Sequence, residues 1–93
     1  MDSENTKRSY MKYELNSDRA RVDIIKGYQT GIINDEIIDT AVSCLKDGMT
    51  ELEVVKELRS IYPDTPSDDP VYKLTMIQAK EIVNAAIEKI EKS

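Results

Sequence analysis

The chain has no histidine, no tryptophan and no phenylalanine, and only one cysteine, Cys44, among its 93 residues. Each absence removes a class of chemistry. Histidine is the usual general base at neutral pH and the commonest metal ligand, so that route to catalysis is closed. A single cysteine builds neither a zinc site nor an internal disulfide. The three glycines, Gly27, Gly31 and Gly48, stand too far apart for a phosphate-cradling loop. No apolar run approaches the roughly 18 residues of a membrane span, and Met1 to Leu15 lack the apolar core of a secretory signal. A lone thiol suits a reducing compartment, so the expected location is the cytoplasm.

Charged residues are 33% of the chain and apolar ones 40%, the balance of a globular domain. The net charge of −5 is unevenly spread. Residues 1–33 hold six bases and five acids, a net of +1; residues 34–93 hold seven bases and thirteen acids, a net of −6.

Apolar spacing predicts an all-α chain, a small bundle of about four helices near 17–29, 35–46, 51–62 and 75–91. In the second segment Ile37, Ile38, Ala41, Val42 and Leu45 form one stripe at 3.6 residues per turn. Asn34 is placed to cap it, Ile33 and Ile38 to staple it, and Gly48 to close it. Thr50 and Glu53 form a capping box for the third helix, stapled by Met49 and Val54. Its expected inner face is Leu52, Val55, Leu58, Ile61 and Tyr62, and Pro63 stops it. Thr75 and Gln78 repeat the box, and Ala79, Ile82, Val83, Ala86, Ile87 and Ile90 carry the last stripe. Residues 63–70, with three prolines and three aspartates, read as a loop.

The first third is less regular. Asn16-Ser17-Asp18 reads as a helix start, with Ala20, Ile24, Ile25 and Tyr28 on its inner face, against the weakening effect of Gly27 and Gly31. Residues 9–15 fit a short strand or a helical turn. Helix is the expectation, because no second strand exists to pair with it. The expected division is a loosely ordered segment over 1–15 and a single helical domain over 16–93.

Four features offer a function. Helices 35–46 and 51–62, joined at Gly48, invite comparison with a helix-turn-helix. The would-be recognition helix, however, carries Glu51, Glu53 and Glu57 against only Lys56 and Arg59, a poor match to a polyanion. The second feature is a cluster of Lys7, Arg8, Tyr10, Lys12, Tyr13, Arg19, Arg21, Lys26 and Tyr28. Bases beside aromatics neutralise phosphate and stack on nucleobases, the chemistry of single-stranded nucleic acid or a nucleotide. Third, Asp64, Asp68 and Asp69 are oxygen ligands without the alternating spacing of a calcium loop; they read as turn formers. Fourth, Asp35, Glu36, Asp39, Glu51, Glu53 and Glu57 give two helices an acidic face that suits a basic groove on a partner.

The sequence therefore points to a non-enzymatic helical binding protein that occupies a protein partner as adaptor or inhibitor. No catalytic residue, metal ligand or cofactor is assigned. Small acidic proteins of phages and mobile elements often act in this way, some as nucleic-acid mimics, and size and charge suggest the analogy. The alternatives are a helix-turn-helix DNA-binding regulator and a nucleotide or second-messenger binder built on the basic tyrosine cluster. Self-association through the C-terminal helix is a further expectation, since cores this small often borrow stability from a second copy.

Overall fold

The computed structural model describes residues 10–61 and 74–92. They form four helices and, among the described residues, no strand: α1 (Asp18–Thr30), α2 (Asp35–Lys46), α3 (Glu51–Ile61) and α4 (Met76–Lys92). The expected loop at 63–70, with Asp64, Asp68 and Asp69, lies outside the described residues.

Local chemistry sets the helix starts. Ser17 accepts from the N–H of Ala20 at 3.1 Å, and Asn34 from that of Ile37 at 3.0 Å. Both capping boxes close reciprocally. Thr50 Oγ1 accepts from Glu53 N–H at 3.1 Å while Glu53 Oε1 accepts from Thr50 N–H at 2.9 Å. Thr75 and Gln78 make the same exchange, both bonds at 3.1 Å. Each box satisfies N–H groups that the first helical turn leaves without a partner. At the other ends, Gly31 (φ 82°) and Gly48 (φ 102°) take left-handed backbone that residues with a Cβ rarely adopt. Gly31, which reads in the sequence as a weakness of α1, is its terminator.

The last helix is the centre of the bundle. It packs against each of the other three, most extensively against α2. Ala79, Ile82, Val83, Ala86 and Ile87 on α4 are wholly buried, together with Leu58, Val54 and Val55 from α3 and Ala41 from α2. Ile37, Ile38 and Leu45 of α2 complete that wall, with Ile33 and Leu74 from the connections. Removing one such isoleucine side chain from water contributes about 1.5–3 kcal/mol, which is why the regular stripes decide the fold.

Two inner faces differ from expectation. On α1 only Ala20 and Gly27 are buried, while Ile25 and Tyr28 are about half exposed. The reason is a close crossing. A Cβ at Gly27 would stand 2.6 Å from Ile33 Cδ1 and 3.3 Å from Gln78 Cγ. The glycine side of α1 is thus the side that meets α4; Ile24 is partly buried, and Ile25 is turned away from it. On α3 the buried set is Val54, Val55 and Leu58, whereas Leu52 and Ile61 are exposed. Tyr62 is outside the described residues.

The helical turn expected over 9–15 is absent across residues 10–15. That segment is an irregular strap lying over α4 and the start of α3, with Tyr10 and Tyr13 packed on the core.

Candidate functional site

The strap is the most unusual part of the molecule. An irregular segment outside helix and sheet has backbone groups to satisfy, and side chains of α3 and α4 meet three of them here. Asn84, midway along α4, pairs with both polar groups of Tyr13. Its Oδ1 accepts from the N–H at 2.8 Å and its Nδ2 donates to the carbonyl at 2.9 Å. Glu51 Oε2 accepts from the N–H of Met11 at 2.7 Å. Lys12 Nζ stands 3.6 Å from Glu88 and 3.4 Å from Glu91. The ammonium of Lys80 lies 5.1 Å from the centre of the Tyr13 ring, within reach of a cation–π contact. Burial, then the charge of Glu51, raises the pKa of the Tyr13 phenol.

Between the strap and α3 runs a groove of about 310 Å³, lined by Met11, Lys12, Tyr13, Thr50, Glu51 and Leu52. Met11 is 78% exposed and Leu52 51%. Two large apolar side chains are thus left open at the edge of the groove.

The described members of the basic tyrosine cluster divide between the strap and α1. Lys7 and Arg8 are outside the described residues. Tyr10, Lys12 and Tyr13 belong to the strap, where Lys12 faces carboxylates. Tyr28, on α1, donates its hydroxyl to Glu81 Oε2 at 3.1 Å. Burial pushes both of these groups up in pKa, and each further acts on the other: Glu81 raises Tyr28, while the bond from Tyr28 lowers Glu81. Arg19, Arg21 and Lys26 are left as exposed bases on α1.

The acidic residues divide between internal and outward duties. Asp39 accepts from Lys89 Nζ at 2.8 Å, Glu51 holds the strap, and Glu53 closes the capping box. Asp35 and Glu36 occupy the first turn of α2, where negative charge complements the helix dipole. Glu57 is exposed on α3. Of the two bases on the would-be recognition helix, Arg59 is exposed but engaged, donating from Nε to the carbonyl of Leu74 at 3.2 Å.

Sequence reasoning missed Asn84, Glu88 and Glu91. Their only signal is position: 84, 88 and 91 share one side of a helix at 3.6 residues per turn, polar opposite the aliphatic stripe. Cys44 is half-buried, and burial together with Glu57 and Asp47 raises its thiol pKa. Among the described residues, no group of three or more Cys, Asp or Glu side chains is placed to hold a metal ion. No described helix is long and apolar enough to cross a membrane.

Comparisons with known protein families, with curated proteins and with solved structures find no match to this chain.

Proposed function

We propose that this chain is a non-enzymatic binding protein that acts by occupying a protein partner, as an adaptor or an inhibitor, in the cytoplasm. The observation that carries the reading is the surface shared by the strap and α3. Exposed Met11 and Leu52 border a groove, and Glu51, Glu53 and Glu57 lie on the same helix as Leu52. An apolar centre with a charged rim is the usual anatomy of a protein contact. Asp35 and Glu36 extend the acidic character to α2, and the complementary partner surface is basic. Competition by the partner's nucleic acid would add mimicry to this reading.

Self-association belongs to the same proposal, through a different surface. The aliphatic stripe of α4 is enclosed by the bundle, and Met76 is its large exposed apolar residue. Val22 and Ile25 on α1, 61% and 55% exposed, are the better candidates for contact with a second copy.

The test is affinity purification from the source cell with the wild-type chain and with Leu52→Asp combined with Glu57→Lys. Both positions are exposed, so the fold should persist. A partner retained by the wild type and lost by the variant supports the reading. A chain that retains nothing specific, or a variant that retains everything, counts against it. Salt-sensitive retention on heparin would favour the DNA-binding alternative instead.

A further inference from the structure

The strap is held in a way that separates backbone recognition from side-chain recognition. The Asn84 carboxamide reads the N–H and the carbonyl of one residue, and Glu51 reads the N–H two residues earlier. On the strap's side those three bonds use backbone groups alone, so any residue but proline could make them. Identity is read at two places: Glu88 and Glu91 face the Lys12 ammonium, and Lys80 with the core edge faces the Tyr13 ring. Backbone bonds for affinity and flanking contacts for selectivity are how proteins hold extended peptides.

Displacing the strap gives up the packing of Tyr10 and Tyr13 on the core but no fully buried side chain. None of residues 10–15 is fully buried, and Glu88 and Glu91 remain more than half exposed with Lys12 beside them. The segment joins α1 through Asn16 and the capping residue Ser17, whose bond to Ala20 does not involve the strap. Local opening of a few residues that carry no fully buried side chain takes less free energy than unfolding the helices.

We propose that the side of α4 carrying Asn84, Glu88 and Glu91, together with Glu51 of α3, is a receptor for an extended peptide bearing a cationic residue followed by an aromatic one. Residues 10–15 are its internal, displaceable occupant. The proposal rests on the binding-protein reading and specifies the chemistry of the partner: an exposed, extended, basic-aromatic segment supplied by another protein. An internal competitor reduces the apparent affinity for that segment by the fraction of time the receptor is open. The strap therefore sets a threshold for binding.

The experiment titrates a fluorescein-labelled peptide Ser-Tyr-Met-Lys-Tyr-Glu-Leu-Asn, the sequence of residues 9–16, with the full-length chain, followed by anisotropy. Three proteins are compared: wild type, a strap-weakened chain (Lys12→Glu with Tyr13→Gly), and that chain with Asn84→Ala added. Relief of competition should make the strap-weakened chain bind at least about tenfold more tightly than the wild type. Loss of the two Asn84 bonds should weaken it again by about tenfold. A peptide with glutamate in place of its lysine should bind more weakly than the parent. Absence of binding to a strap-weakened chain of unchanged helical circular dichroism overturns the proposal, as does binding indifferent to Asn84→Ala.

If the strap-weakened chain does not fold, hydrogen exchange on the wild type decides. A Tyr13 amide that exchanges much faster than the Val83 amide supports a displaceable strap; equal protection of the two overturns it. Co-purification judges the wider binding-protein reading separately. A silent peptide titration removes the receptor and leaves that reading standing.

Discussion

Gly27 lies so close to Ile33 that a Cβ added to the glycine would stand 2.6 Å from Ile33 Cδ1 and 2.8 Å from Cγ1. The two residues are also joined through the backbone, Ile33 N–H donating to the Gly27 carbonyl at 3.0 Å. Helix propensity alone would make Gly27→Ala stabilising by about 1 kcal/mol. Ile33 is only 3% exposed and is walled in by the core, so it has little room to yield. Overpacking of this kind costs about 1–3 kcal/mol. Gly27→Ala is therefore expected to lower the urea midpoint. A raised midpoint would show that α1 does not cross at this glycine.

Gln78 is the one buried polar side chain among the described residues, 4% exposed, and it performs two tasks. Its Oε1 caps α4 through Thr75 N–H, and its Nε2 donates to the Asp23 carbonyl of α1 at 3.0 Å. Gln78→Ala should cost about 2–4 kcal/mol, because buried groups lose their partners on both sides. Gln78→Glu separates the tasks. A carboxylate keeps the cap but turns an acceptor toward the Asp23 carbonyl, whereas its protonated form donates there. The glutamate's pKa in the folded chain is thus raised, and its stability deficit against wild type should shrink as pH falls. Denaturant curves at neutral and acidic pH measure this; a deficit independent of pH would contradict the Asp23 bond.

Glu81 offers a second pH test, without a change of fold. Burial raises its pKa above the ordinary 4.5, the Tyr28 hydroxyl opposes that, and Glu88 adds to it. A carboxyl raised in the folded state binds its proton more tightly there than in the unfolded chain. The stability it contributes is complete below the unfolded value and is lost as pH rises through the folded one. Glu81→Gln retains an acceptor for Tyr28 and never ionises. It should be more stable than wild type at neutral pH, and the advantage should disappear at or below pH 4.5. A constant difference across that range would sink the argument.

Cys44 should be a sluggish nucleophile. Its thiol pKa is raised from 9.0 by burial and by Glu57 and Asp47, and the thiolate is the reactive form. Alkylation by iodoacetamide is expected to be slower in the folded chain than in urea, with the gap narrowing as pH climbs past the folded pKa. A folded-state rate equal to the unfolded one at mildly alkaline pH would mean that the thiol is neither shielded nor shifted.

Most of the fold was legible because its signals are local. Asn34, Thr50 and Thr75 each bond three residues ahead, a distance along the chain that sequence displays directly. The aliphatic stripes of α2 and α4 are likewise periodic within single helices. The candidate site was much less legible. Its acidic residues were placed on the right helices, but periodicity cannot say that Asp39 faces Lys89 or that Glu51 faces Met11. Leu52 fits the inner stripe of α3 by spacing, yet burial goes to Val54, Val55 and Leu58, since the orientation of a short helix follows from what it packs against.

Composition and periodicity by themselves determined an all-helical chain, its helix starts and its aliphatic core, since each depends on neighbours within one or two turns. Tertiary structure alone decided the strap. Tyr13 and Asn84 are 71 residues apart, and Met11 and Glu51 are 40 apart. Irregular backbone is held there because folding brings side-chain donors and acceptors, and a core edge, to it. The same is true of Gly27, a defect on a helix taken alone and a point of closest approach once Ile33 and Gln78 are packed against it.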